Sequence, residues 1–171
     1  MEPGQSGRRC NTCTKRGAQT GRNPTDRGKP GVKHHLVVER KGVPLVALSG
    51  PANAHDSLEF ERLLDAIPRI GQRRGAPRRR PRKIHADKGY DYERCRRASR
   101  ARRIMPRIAR RGIESTQRLG RHRWVVERTL SWLHGGFRRL RIRYERRAEL
   151  HQAFLTLGCA LICFRYYKRF C

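Results

Sequence analysis

The segment HADKGYD at residues 85–91 constrains the fold of this chain more than any other feature. It follows a strand pattern, so Asp87 predicts a carboxylate at the end of a strand, in a turn that Gly89 permits. Further along the chain, WVVERT predicts a helix on which Glu127 lies four residues after Arg123. An acid at a strand end and an acid on a helix suggest one site built by alternating strands and helices.

Hydrophobic periodicity and turn residues predict a mixed α/β layer fold. The predicted strands cover residues 33–40, 43–48, 82–86 and 104–108. The predicted helices start at Asn53 or Asp56 and end at 67, and then cover 92–103, 121–134, 137–147 and 149–167. The last of them is expected to bury one face, formed by Leu150, Phe154, Leu157 and Leu161. Residues 1–22, which carry almost no aliphatic side chains, predict loop or disorder, so the expected domain is 23–171.

The charge balance predicts a polyanionic partner. Lys and Arg total 42 against 14 Asp and Glu, for a net charge of +28, and such a surface favours DNA or RNA. Codon bias could explain Arg in place of Lys, but it does not explain a threefold excess of base over acid. The basic loop 69–83 cannot bury itself, so Arg78, Arg79 and Arg80 are predicted to contact phosphate.

No apolar run is long enough to cross a bilayer, and no secretory leader precedes the chain. The six Cys form no disulfide framework, and Cys10 and Cys13 supply only half of a zinc site. The expected compartment is the reducing cytoplasm.

Each of the two acids also has a plain structural interpretation. Asp87 before a glycine is a common turn former, and Glu127 with Arg123 is a common surface ion pair. The neighbouring Trp124 and Val126 predict that Glu127 is half-buried, and a half-buried carboxylate needs a cation beside it. Arg123 or a bound divalent metal would supply that cation.

The strings ADKGYD, WVVERTLSWL and FRRLRIRYE resemble the carboxyl-terminal part of DDE-type insertion-sequence transposases of the "insertion sequence five" group, and the likeness runs from about Thr20 to Tyr167. The resemblance implies an RNase H-like fold, in which three acids hold two Mg²⁺ (or Mn²⁺) ions that cleave and join DNA. It assigns the second acid to Asp87 and the third to Glu127. It also makes Arg123 and Arg128 candidate phosphate ligands, beside Lys88, which is a candidate because it follows Asp87 in the turn. The family further implies a bacterial cytoplasmic protein associated with the nucleoid.

The chain departs from this family pattern at three places. No acid occupies the stretch upstream of TGRNPTDRG, where the first catalytic Asp is expected, so the domain is expected to be truncated and incomplete at its N-terminus. A family Tyr is replaced by Gly120, and the basic residue after the Glu falls at His134 or at Arg138, a further candidate for phosphate binding. With two acids of three, the chain alone is expected to be feeble or inactive as a nuclease.

Three functional hypotheses remain. The first is a transposase that acts on transposon ends and target DNA, and such enzymes generally act as multimers. The second is a non-enzymatic DNA-binding remnant. The third, an unrelated basic scaffold such as a ribosomal component, does not account for an acid at a strand end together with an acid on a helix.

Overall fold

The computed structural model describes residues 4–14, 17–24, 26–71, 76–78, 80–112 and 116–170, with the backbone alone for 4–10, 116–123 and 170. The strands are β1 (Gly4–Cys13), β2 (Gly21–Arg22), β3 (Pro30–Val38), β4 (Pro44–Pro51), β5 (Lys83–Ala86), β6 (Met105–Ile108) and β7 (Ile142–Arg143). The helices are α1 (Asp56–Asp65), α2 (Glu93–Ala101), α3 (Thr116–Gly136), α4 (Arg138–Arg141) and α5 (Ala148–Phe170).

The strands form one mixed sheet, which confirms the predicted α/β fold. Its main order is β4-β3-β1-β5-β6, with β2 paired to β3 and β7 paired to β1. The strands β1, β3 and β4 are antiparallel neighbours, whereas β5 and β6 run parallel to β1. The predicted hairpin is β3 and β4, and the strand that contains Pro106 lies at the end of the sheet, as its missing N–H donor predicts.

Helices cover both faces of the sheet, and β3 contributes to both cores. Leu36 and Val38 point to one face, where they pack with Leu130 of α3 and with α5. Val37 points to the other face and packs with Phe60 of α1. This alternation is the period of two that a strand imposes on its side chains, and it buries a continuous apolar run rather than an alternating one.

The first strand differs from the loop predicted for residues 1–22. Residues Gly4–Cys13 form β1 near the middle of the sheet, hydrogen-bonded to β3 along one edge and to β5 and β7 along the other. The segment has no apolar alternation that would predict a strand. Pairing with β3 along one edge, and with β5 and β7 at the two ends of the other, satisfies many of its backbone groups, and this tertiary contribution outweighs its low β-propensity.

The predicted core face of the last helix is wrong. Leu150, Phe154, Leu157 and Leu161 are between 37% and 57% exposed. The buried positions of α5 are instead Ala148, His151, Leu155, Gly158 and Ile162. Apolar residues occupy almost the whole circumference of this helix, so periodicity did not single out the face that packs on β4. In the described helices, no segment is long and apolar enough to cross a membrane.

Candidate functional site

The turn after β5 holds Asp87 where the sequence predicts it. Its Oδ1 accepts a hydrogen bond of 2.9 Å from the backbone N–H of Gly89, so the carboxylate caps the single 3₁₀ turn Lys88–Tyr90. The side chain is half-buried. The same hydrogen bond that makes Asp87 a turn former therefore also fixes the direction of its carboxylate.

A second carboxylate approaches the same turn. A Cβ atom built on Gly89 would lie 3.0 Å from Oδ1 of Asp87 and 3.1 Å from Oδ2 of Asp56. Asp56 is fully buried, and its Oδ1 lies 3.2 Å from Nζ of Lys33, which is also buried. A larger residue at position 89 would therefore crowd both carboxylates. The sequence identified Asp56 only as a helix start, although Lys33 inside a β-branched strand was a signal of a buried ion pair.

Beside this turn, no strand among the described residues pairs with the middle of β1 on its β5 side. Strand β5 pairs with β1 only as far as Ser6, which lies opposite Ala86, whereas β7 pairs with β1 at Thr12 and Cys13. Positions 7–11 of β1 lie between these two partners. Parallel neighbours are about 4.8 Å apart, so position 7 of β1 lies beside Asp87 at the start of this interval.

Glu127 lies on α3, and its side chain is exposed rather than half-buried as predicted. The neighbouring Trp124 is 49% exposed and does not cover it, because Val125 and Val126 are the residues of this turn that enter the core. The side chain of Arg123 lies outside the described residues.

Basic and aromatic side chains surround the turn that holds Asp87. The guanidinium of Arg111 lies 5.0 Å from the ring centre of Tyr92, and its Nε donates to the carbonyl of Lys88. Arg94 lies 5.4 Å from the same ring. The Arg96 guanidinium, with the backbone N–H of Arg111, holds the pKa of the Asp91 carboxyl below its usual value. The sequence missed this group, although it follows directly after ADKGYD.

The other predicted phosphate ligands are more scattered. Lys88 is half-buried, and Arg78, Arg80 and Arg138 are exposed, whereas Arg79 lies outside the described residues. The guanidinium of Arg128 lies 4.4 Å from the Trp124 ring and 4.7 Å from the Trp132 ring, and it donates to the carbonyl of Lys41. Arg128 therefore stacks between two aromatic rings of its own helix.

Three buried histidines contact one another between α3 and the sheet, on the face that α3 and α5 cover. Nδ1 of His34 lies 3.1 Å from Nε2 of His134, and Nε2 of His34 lies 2.8 Å from Nε2 of His151. The amide nitrogen of Asn11 lies within 3.3 Å of both His34 and His134. Burial is the main cause that lowers the pKa of His34 well below its usual value, and the charges of neighbouring histidines and Arg143 lower it further.

The third ring of the histidine cluster faces an acid. Nδ1 of His151 lies 3.5 Å from Oε2 of Glu145, and burial followed by the charge of Arg143 lowers the pKa of His151. Burial removes solvation from a protonated ring, so these groups favour the neutral form. His134 belongs to this buried cluster, which leaves Arg138 as the solvent-facing basic residue after Glu127.

Comparison with known proteins shows the family to which this chain belongs. The sequence matches the family described as "Transposase DDE domain" over residues 6–163. The chain therefore belongs to the DDE transposases, and its mixed sheet with flanking helices fits their RNase H-like fold.

Among its relatives is "Putative transposase for insertion sequence element IS402" of Burkholderia cepacia. The two sequences are 56% identical over 151 residues, which are 88% of this chain and 71% of the relative. No solved structure matches the chain significantly.

Proposed function

We propose that this chain binds the DNA of an insertion sequence and carries two acids of a cleavage site, Asp87 and Glu127, but does not cleave DNA on its own. The observation that supports this most is the register of β1 against β5. The register brings Gly7, which has no carboxylate, beside Asp87.

The alternation of side chains supports a site on the face that α3 covers. Ile84 and Ala86 pack into the core beneath α1 and α2. Asp87 has extended backbone angles, with φ −76° and ψ 177°, so the alternation continues and directs it to the opposite face. By the same period, position 7 of β1 shares a face with Asn11, whose amide contacts His134 of α3.

The position of Glu127 along α3 supports the same site. Residues seven apart lie on nearly the same side of a helix, so Glu127 and His134 share the flank that borders β1. Glu127 precedes His134 by about 10 Å along the helix axis. Gly7 precedes Asn11 by about 13 Å along β1.

The comparison of spacings along α3 and β1 requires that the helix and the strand run in the same direction, and they do. The hydroxyl of Thr129 donates to the carbonyl of Gly42, just beyond the end of β3. That end of β3 lies beside the start of β1, where Val38 pairs with Gln5. Helix α3 therefore advances along the sheet in the same sense as β1, and Glu127 falls near the level of position 7.

The residues present do not complete a site for two metal ions. Within the described parts of the chain, no group of three or more His, Cys, Asp or Glu side chains is arranged so that it could hold a metal ion. Two acids without a third give an incomplete ligand set for Mg²⁺ or Mn²⁺, which prefer several hard oxygen ligands. We therefore favour DNA binding without cleavage over full transposase activity for this chain alone.

The test is a nicking assay on supercoiled DNA with Mg²⁺ or Mn²⁺. We expect no nicking by the natural chain and metal-dependent nicking by Gly7→Asp, because an acid at position 7 would lie about 5 Å from Asp87. The double variant Gly7→Asp, Asp87→Asn should give no nicked DNA. Titration calorimetry should detect Mn²⁺ binding only when positions 7 and 87 both carry an Asp. Robust cleavage by the natural chain, or no Mn²⁺ binding by Gly7→Asp, would contradict the proposal.

DNA binding itself is tested by salt dependence. Arg94 and Arg111 are exposed beside the turn of Asp87, so we expect each Arg→Ala change to weaken binding and to reduce the slope of log affinity against log salt by about one. Arg147→Ala is the matched control, because Arg147 lies beyond β7, near the far end of β1. A slope that falls equally in all three variants would contradict a DNA interface at this turn.

A further inference from the structure

Helix α3 presents a row of alternating aromatic and cationic side chains. Trp124, Arg128 and Trp132 follow one another at intervals of four residues, which places them on one flank of the helix. The guanidinium of Arg128 lies 4.4 Å from the centre of the Trp124 ring and 4.7 Å from the centre of the Trp132 ring. These three residues are called here the α3 ladder.

Both indole rings of the ladder are accessible to a ligand. Trp124 is 49% exposed and Trp132 is 38% exposed, and they are the only two tryptophans of the chain. Tryptophan is highly buried on average in folded proteins, so the exposure of both is informative. A cation–π contact that served only to stabilise the helix would need one ring, and it would be stronger if that ring were shielded from water.

The turn between β3 and β4 brings further positive charge to the ladder. Arg128 donates a hydrogen bond of 2.5 Å to the carbonyl of Lys41, and the Tyr166 hydroxyl donates one of 2.6 Å to the same oxygen. The side chains of Arg40 and Lys41 are exposed at this turn. The ring of Tyr166 lies 6.1 Å from that of Trp132. The ladder therefore lies beside a basic turn that α3 and α5 hold in place.

Aromatic rings beside cations bind single-stranded nucleic acid through the faces of its bases and through its phosphates. In a duplex the bases are stacked on one another, and only their edges are accessible in the grooves. We propose that the α3 ladder binds single-stranded DNA, with bases stacked on Trp124 and Trp132 and phosphates in contact with Arg40 and Lys41. This inference rests on the proposed binding of DNA and adds a preference for unpaired DNA at this surface.

The dimensions of the ladder fit a short stretch of such a strand. Trp124 and Trp132 are about 12 Å apart along the helix axis, which corresponds to roughly three to four phosphate intervals of about 3.4 Å. Glu127 follows Trp124 by three residues and is exposed. A strand bound on the ladder would therefore pass beside one of the two acids of the proposed site.

The two tryptophans supply the first assay, because the intrinsic tryptophan fluorescence of this chain comes from the ladder alone. An oligo-dT strand of roughly 12 nucleotides should quench this fluorescence as its bases stack on the indoles. A strand of the same length that carries phosphates and sugars but no bases should quench it much less. Equal quenching by the two strands, or binding of oligo-dT without quenching, would overturn the inference.

The second assay measures affinity by the fluorescence anisotropy of labelled strands. Trp124→Ala and Trp132→Ala should each weaken oligo-dT binding at least about fivefold, the lower end of the effect of removing one stacking ring. Trp124→Phe, which keeps an aromatic ring, should retain most of the affinity. Binding of the strand without bases and of duplex DNA should change little in all three variants, because neither offers base faces to the ladder.

Phe154→Ala is the matched control. Phe154 is 37% exposed, and the guanidinium of Arg139 lies 5.4 Å from the centre of its ring, so this pair repeats the chemistry of Arg128 and Trp132 on another helix. The variant should bind oligo-dT like the natural chain, and circular dichroism should report the same fold for all variants.

The outcomes separate this inference from the proposed function. Oligo-dT binding that neither tryptophan-to-alanine change weakens, or that Phe154→Ala weakens equally, would overturn the inference, while duplex binding would leave the proposed function in place. An equal loss of affinity for duplex DNA in the ladder variants would overturn the preference for unpaired DNA. A natural chain that binds none of the three kinds of DNA would overturn both.

Discussion

The buried histidines make the stability of this protein depend on pH in a defined direction. The ring of His34 is fully buried and lies between His134 and His151. With all three rings neutral, Nε2–H of His134 can donate to Nδ1 of His34, and Nε2–H of His34 can donate to Nε2 of His151. A further proton on His34 would place two N–H groups against each other, in a site that also lies near Arg143.

The sign follows from linkage between protonation and folding. The pKa of His34 is well below its usual value in the folded chain, so below about pH 6.5 the unfolded chain binds the proton that the folded chain excludes. The stabilisation is fully present above the unfolded pKa and is lost as the pH falls towards the folded pKa. Lowering the pH from about 7.5 to about 5.5 should therefore cost about 1.4 kcal/mol for His34 alone.

His151 adds to this loss, because its pKa is also lowered. If both rings exclude the proton fully, the loss would reach about 3 kcal/mol. Glu145 contributes in a different range: its pKa is lowered overall, although burial opposes this and hydrogen bonds such as that from Arg139 favour the charged form. Its contribution is lost only at more acid pH, below the usual range of a carboxyl group.

The measurement is urea unfolding followed by circular dichroism at about pH 7.5, 6.5 and 5.5. Urea is preferred because it is uncharged and does not screen a chain of net charge +28. His34→Gln should lose about 1.4 kcal/mol of the pH-dependent difference, whatever its effect on absolute stability. His55→Gln, which leaves the cluster intact, is the control. An unfolding free energy that is equal at pH 7.5 and 5.5 in the natural chain, or an unchanged difference in His34→Gln, would refute the reasoning.

Two further predictions concern packing near the candidate site. Gly89→Ala should lower the unfolding free energy by about 1 kcal/mol, because the added Cβ would meet two carboxylate oxygens. Gly135→Ala is the control: its Cβ would meet nothing within 4 Å, so it should raise the unfolding free energy by about 0.5–1 kcal/mol, as alanine does in a helix. Equal effects of the two substitutions in urea unfolding would contradict this prediction. Lys33→Met should cost about 3–5 kcal/mol, because it leaves Asp56 charged and buried without its ammonium partner, and a cost below about 1 kcal/mol in the same assay would show that the pair is dispensable.

The sequence was sufficient for elements whose side chains carry the pattern that their structure requires. The hairpin of β3 and β4, the turn at Asp87 and the edge strand with Pro106 follow from β-branched runs, glycine and proline. The strand β1 does not, because Gly, Ser, Arg and Asn form it only when β3 and β5 hold it on both edges. A strand that depends on its neighbours leaves no local signal.

Two of the errors on helices have one cause. Hydrophobic periodicity identifies the apolar face of a helix, but it does not identify which part of the protein packs against that face. For Leu157 and Leu161 the sequence predicted burial within the chain, and they are exposed. For Glu127 it predicted partial burial because Trp124 was expected to cover it, and Trp124 is exposed too. In the first case, apolar residues surround almost the whole helix, so the pattern did not distinguish the face that packs on the sheet from the face that does not.

The acid that the proposed site lacks is assigned, in that proposal, to a single backbone position. The sequence alone located the missing acid only to a stretch upstream of TGRNPTDRG, because no local pattern assigns a register to a polar strand. We infer position 7 by extending the pairing of Ser6 with Ala86 by one residue, and the alternation of side chains gives this position the face of Asn11 and α3. Glycine at position 7 lacks a side chain but still belongs to β1, so the backbone that would hold an acid at this position is present. The Gly7→Asp substitution therefore distinguishes two cases: a metal site that lacks only one of its ligands, and a fold that has no such site.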